Sequence, residues 1–203
     1  TLLNGLLHHC PDLAAVPRAG IVHRLDKDTT GLLVVAKTLS AHNALVAQLQ
    51  ARSVTREYDA IVHGLVARDG TFGSRIGRHP SARVKMAVVA SGGREAITHY
   101  RVVHRFRVHT HVRVRLETGR THQIRVHMAH AGHPLIGDAT YGGSGPRQHT
   151  GADLAVVLAG FQRQALHART LSLRHPRSGR EMTWTAPLPD DMGALLAALA
   201  EDA

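Results

Sequence analysis

The stretch GIVHRLDKDTTGLLVVAKT, residues 20 to 38, sets His23, Arg24, Asp26, Lys27 and Asp28 between two apolar runs. A carboxylate on a short loop with apolar flanks is partly desolvated. Desolvation raises its pKa, so it stays ionised only beside a cation. Arg125, which follows the segment ETGRTHQI, is a candidate for that cation. Asp26 held ionised in this way could act as nucleophile or base. The same Asp–Arg pair also reads as a plain structural salt bridge, and sequence separation alone leaves both readings open.

Two other constellations compete. His122, His127, His130 and His133 fall close together. They form neither an HExxH pattern nor a Cys/His zinc spacing, so no metal is expected. Asp26 and Asp28, two residues apart, could share a face and hold Mg²⁺ or act as a glycosidase pair. Such sites draw on further carboxylates, and the remaining acids are scattered. Gly142-Gly143-Ser144-Gly145 lacks the Lys-Ser/Thr ending of a phosphate-binding P-loop.

The elements that must position these groups are readable in outline. Gly20 to Val22 and Leu32 to Ala36 read as buried strand segments joined by the charged loop. Ser40 is placed to cap a helix over about 41–52, with Leu45, Val46 and Leu49 on one face. Residues 56–62 return as a strand carrying Tyr58. The Gly-rich region 68–95 reads as loops and short strands. HVRVRLE, residues 111 to 117, alternates Val112, Val114 and Leu116 with Arg113, Arg115 and Glu117, the pattern of an antiparallel strand with one wet, basic face. Thr121 is placed to cap a helix from His122 to about Ala131. Residues 142–151 read as a flexible loop, LHARTLSLRHPRSGREMTWTAP as a hairpin turning at Ser178-Gly179, and the last residues as a helix. The sum is an α+β fold with a largely antiparallel sheet.

Bulk properties narrow the partners. The chain has 203 residues and 43% hydrophobic content, which suits one sizeable globular domain. A formal charge of +10, from 25 Lys+Arg against 15 Asp+Glu, favours a polyanion such as nucleic acid. Cys10 is the only cysteine and cannot form an internal disulfide, which favours the cytoplasm. No apolar run reaches the ~20 residues of a membrane helix.

Four segments, HRLDKDTTGLLVVAKT, TREYDAIVHG, LETGRTHQIRVHMAHAGHPLIGDATYGG and QALHARTLSL, resemble the RluA-type pseudouridine synthases. The resemblance runs from about Gly20 to Pro189. It implies a curved, largely antiparallel mixed sheet with flanking helices and a central RNA-binding cleft. It also implies an isomerase that converts uridine to pseudouridine in large-subunit ribosomal RNA, without metal or cofactor. On this resemblance residues 1 to 203 form the catalytic domain, and an S4-type RNA-binding domain found upstream in related members is absent from the chain. Asp26 matches the catalytic aspartate, Tyr58 the tyrosine that stacks on the target base, and Arg125 the basic residue paired with the aspartate. Arg24, Arg113, Arg115, Arg120, Arg83 and Lys85 are the expected RNA contacts, with Arg75 and Arg78 beside them. A monomer is expected. The alternative is a non-catalytic rRNA-binding or ribosome-assembly protein on the same fold.

Overall fold

The computed structural model describes residues 1–142 and 151–202. Its elements in chain order are α1 (Leu2–His9), β1 (Thr30–Gly31), α2 (Leu39–Gln50), β2 (Thr55–His63), β3 (Gly70–Arg78), β4 (Met86–Val88), β5 (Arg94–Arg105) and β6 (His109–Leu116). They continue with α3 (Gln123–His130), α4 (Ala152–Gly160), β7 (Leu166–Arg174), β8 (Glu181–Thr185) and α5 (Asp190–Glu201). Among the described residues the strands form one mixed sheet, β1-β7-β2-β6-β5-β3-β4, with β8 also on β7. Among these residues only the β1–β7 pairing is parallel. No helix among these residues is long and apolar enough to cross a membrane.

Strand alternation divides the sheet into two faces. Tyr58, Val114 and Tyr100 lie side by side across β2, β6 and β5. With Ala60, Val62, Val112 and Leu116 they face α3, whose Ile124 and Met128 complete this core. Neighbouring Ile61 points the other way, into a second core under α4 and α5 with Leu154, Met192, Leu195 and Leu199. Helix α2 packs Leu45 onto Leu171 and Leu173 of β7.

Several expectations need correction. The two apolar runs around the charged loop are not full strands. They meet in a single antiparallel bridge, Ile21 with Val35, and the only strand here is Thr30–Gly31. Helix α2 is capped by Thr38, whose Oγ1 accepts from the Ala41 amide at 3.2 Å, and not by Ser40. Thr121 does not cap α3; the residue at that end is His122, at φ 57°. Region 68–95 contains the nine-residue strand β3, paired with β5 from Gly70 to Ile76 and with β4 from Ile76 to Arg78. The hairpin of β7 and β8 turns at Gly179, and α5 closes the chain, as the sequence predicts. The loop expected at 142–151 falls, from 143 to 150, outside the described residues.

Candidate active site

The charged loop is pinned at both ends. The Ala36 amide donates to the Gly20 carbonyl at 2.9 Å, and Gly20 sits at φ 77°, where a Cβ would lie 2.0 Å from the Ala36 oxygen. Within the loop the Val34 amide donates to His23 Nε2 at 3.1 Å. That bond requires an unprotonated Nε2, and burial together with the Arg56 charge lowers the His23 pKa to about 4. The far side of the loop is fastened to the start of β7 and the residues just before it. Gln164 Nε2 donates to the Lys27 carbonyl at 2.6 Å, and Thr30 Oγ1 lies 2.9 Å from His167 Nδ1. A turn closed by the Thr29 amide on the Asp26 carbonyl, at 3.0 Å, aims Asp26 inward.

Helix α3 brings Arg125 to the same place. Its start is set by Gln123, whose side-chain oxygen accepts from Thr118 Oγ1 and the Arg120 amide, at 2.8 and 2.9 Å. The Gln123 amide nitrogen donates to the Ile97 carbonyl and Thr98 Oγ1 of β5. Arg125 Nη1 then donates to Asp26 Oδ2 at 3.4 Å. Its Nε and Nη2 donate to Asp138 at 2.7 and 2.8 Å. Asp138 is buried and also accepts from the Thr140 and Tyr141 amides. Burial opposes both charges. The hydrogen bonds and mutual attraction outweigh it, raising the Arg125 pKa and lowering that of Asp138. The Tyr141 ring lies under the guanidinium, 5.0 Å from its carbon.

Asp26 and Tyr58 line one cleft of about 540 Å³. Tyr58 is buried, and its hydroxyl makes no hydrogen bond among the described residues. Burial raises its pKa, the Arg56 charge opposes this, and the Asp26 charge adds to it. Arg24 and Arg120 are on the cleft wall, as are Arg18, Arg52, Arg56 and Arg94. Arg120 Nε donates to the Glu95 carbonyl at 2.7 Å, and Arg52 pairs with the Glu95 carboxylate.

The remaining predicted contacts do not gather there. Arg113 and Arg115 pair in register with Asp59 and Glu57, on the face of the sheet opposite Tyr58. Arg113 Nε is bound to buried Asp59 at 2.8 Å. Burial opposes that carboxylate, yet the bonds from His111 and Arg113 hold its pKa at about 2. Lys85 Nζ donates to the Thr140 carbonyl at 2.7 Å, and the Arg83 carbonyl accepts from Arg78. Arg75 is tied to the Gly92 and Gly93 carbonyls. The four clustered histidines disperse. His122 meets the Tyr141 hydroxyl at 2.8 Å, His127 lies between Thr98 and Ser74, and His133 meets the His63 carbonyl. Asp28, at φ 69°, has no side-chain partner among the described residues.

Sequence reasoning missed Asp138 and Arg56. Both stand in segments that carry the resemblance, LIGDATY and TREY, so a signal for them exists in the sequence. Arg18, Arg52 and Arg94 carry no comparable signal.

The RNA pseudouridylate synthase family model matches residues 11–130. Ribosomal large subunit pseudouridine synthase D of Pseudomonas aeruginosa is 61% identical over 203 residues, covering 100% of this chain and 63% of that protein. The protein of the same name from Escherichia coli is 57% identical, covering 100% and 62%. The chain thus spans somewhat less than two thirds of the length of these relatives. Among solved structures, Human RNA Pseudouridylate Synthase Domain Containing 4 superposes with a TM-score of 0.72 at 25% identity, over 88% of this chain and 75% of that one. Human RNA Pseudouridylate Synthase Domain Containing 1 gives 0.70 at 28% identity, over 87% and 71%. Matched in sequence along its whole length and in structure over most of it, the chain belongs to the RNA pseudouridylate synthase family.

Proposed function

We propose that the chain is the catalytic part of an rRNA pseudouridine synthase, which isomerises chosen uridines of large-subunit ribosomal RNA. The observation that carries this reading is one cleft holding a carboxylate backed by an anchored arginine, a tyrosine with an unused hydroxyl, and a rim of arginines. The relatives named for a ribosomal large subunit activity supply the substrate class.

The reaction breaks the bond from ribose C1′ to uracil N1 and joins C1′ to C5. The base gives up its C5 proton and gains one at N1, so the RNA keeps its length and mass. A base inside a stack cannot turn, so the nucleotide must first be flipped into the cleft. Tyr58 then offers a stacking surface and a hydroxyl near C5. C1′ becomes electron-poor as its bond to N1 stretches, and the Asp26 carboxylate is the charge that meets it. Arg125 sets a positive charge beside Asp26 and helps to aim it. Arg24 and Arg120 meet phosphates at the rim, contacts that give affinity without sequence information.

Incubation with large-subunit rRNA, followed by carbodiimide treatment and primer extension, tests the reading. New stops at particular uridines in full-length RNA are expected. RNA that is unaltered, or shortened, would refute it.

A further inference from the structure

One buried arginine of the cleft has no part in the reaction as described so far. Arg56 lies two positions before Tyr58 on the same face of β2 and lines the same cleft. Its side chain is buried, with 7% of the residue exposed. A guanidinium carries five N–H donors. Within the described residues Arg56 uses one nitrogen, Nη2, which donates to the Glu117 carbonyl at 3.2 Å, while its Nε is buried with no acceptor. No carboxylate among these residues pairs with it. Arg125, by contrast, makes three bonds to two carboxylates. A buried cation without a counter-charge is costly, and a folded protein keeps one where a ligand supplies the missing acceptor. Residue 119 leaves room for this arrangement. A Cβ there would stand 2.8 Å from Arg56 Nη1, so a larger residue would push the end of the guanidinium aside.

We propose that Arg56 is a catalytic residue that binds a carbonyl oxygen of the flipped uracil and stabilises the base as an anion while it is detached from the ribose. The proposal rests on the isomerase reading above. When the C1′–N1 bond breaks, its electron pair leaves with the base and spreads onto the ring oxygens. The positive C1′ is balanced by Asp26, and the negative base by Arg56. Attack of C5 on C1′ consumes the anion, after which C5 loses its proton and N1 gains one. The cation would be worth most in this desolvated position, because its orientation is set before the reaction begins. Depth favours the base over a phosphate as the ligand, since Arg18, Arg24, Arg94 and Arg120 lie along the same cleft and are available to the backbone.

The test uses single-turnover rates and RNA affinities of R56Q, R56K and G119A, with melting curves to establish folding. Two substrates are compared, the RNA with uridine at the target and the same RNA with 5-fluorouridine. Fluorine withdraws electrons and stabilises the detached base by itself. R56Q should slow cleavage of the uridine bond by about 100-fold or more, as loss of one such donor does, with RNA affinity within about threefold. On 5-fluorouridine RNA the loss should be at least tenfold smaller. R56K, which keeps the charge but not the fork, should fall between wild type and R56Q. G119A, which displaces the guanidinium but keeps its charge, should be slowed in the same direction. Equal losses on both substrates, wild-type rates in folded G119A and R56K, or weaker binding with an unchanged saturated rate would each overturn the proposal. The last would make Arg56 a phosphate contact. Failure of the wild-type protein to isomerise uridine at all would instead count against the isomerase reading.

Discussion

Arg125 holds Asp138 more tightly than it holds Asp26. Two bonds, of 2.7 and 2.8 Å, run to Asp138, and a single one of 3.4 Å runs to Asp26. The buried Asp138 acts as an anchor. With its other acceptor positions bound to the Thr140 and Tyr141 amides, it fixes the guanidinium plane and leaves Nη1 turned to Asp26. Asp26 therefore has a cation beside it without being locked against it, as a reacting carboxylate requires.

Asp138→Asn should damage both stability and turnover. The amide cannot accept two charged bonds as the carboxylate does, and Arg125 is left short of a counter-charge. Breaking a buried pair from one side costs about 3–5 kcal/mol. Denaturant unfolding should show a loss of that order, and the activity of folded variant should fall as well. Unchanged stability would mean that Asp138 does not anchor the arginine.

Tyr58→Phe should separate the ring from its hydroxyl. Because that hydroxyl has no protein partner among the described residues, the melting temperature should barely move. RNA should still bind, with turnover slowed by about 100-fold or more if the hydroxyl takes part in proton transfer. Full activity in the phenylalanine variant would reduce Tyr58 to a stacking surface.

The two faces of the sheet should differ in their effect on RNA affinity. Removing Arg24 or Arg120 should weaken binding and lower the salt dependence by about one unit of slope for each phosphate left without its arginine. Arg115→Ala, on the opposite face from Tyr58, should change neither. Titrations across a range of salt concentrations check this, and an equal effect of Arg115 would show RNA wrapping both faces.

Acid should destabilise the fold through buried histidines. Burial lowers His127 to about 4, with the His130 charge adding to it. His23 and His109 are lowered to about 4 as well, also chiefly by burial. An unfolded histidine has its ordinary value of about 6.5, so between these values the unfolded chain binds more protons. The stability they contribute is therefore complete above pH 6.5 and is lost as pH falls towards 4. Melting temperatures should follow that course, and His127→Gln should make the decline shallower. An unaltered slope would place the acid sensitivity elsewhere.

Much of this arrangement can be read from the amino-acid order, and the failures have physical causes. The loop carrying Asp26, the strand carrying Tyr58 and the helix carrying Arg125 each stand out by local pattern, and all three converge on one cleft. Alternation in HVRVRLE correctly separates buried Val112, Val114 and Leu116 from Arg113 and Arg115. It does not say which face carries the cleft, because α3 covers the apolar face only in part and the cleft opens beside it. Asp138 stands in the recognisable segment LIGDATY, but its pairing with Arg125 comes from tertiary packing and not from a local pattern. Strand β3 is masked by its glycines, since its partner β5 supplies the register that composition does not. The runs at 20–22 and 32–36 are apolar enough for strands, but the turn between them leaves room for one bridge.

Asp26→Asn tests the central claim most directly. The amide is nearly the same size but cannot carry charge, so a folded protein that still binds RNA is expected. Pseudouridine formed in a single turnover, measured with full-length rRNA and enzyme in excess, should fall to background. Substantial pseudouridine from a clean preparation of this variant would contradict the assignment of Asp26 as the charge that meets C1′.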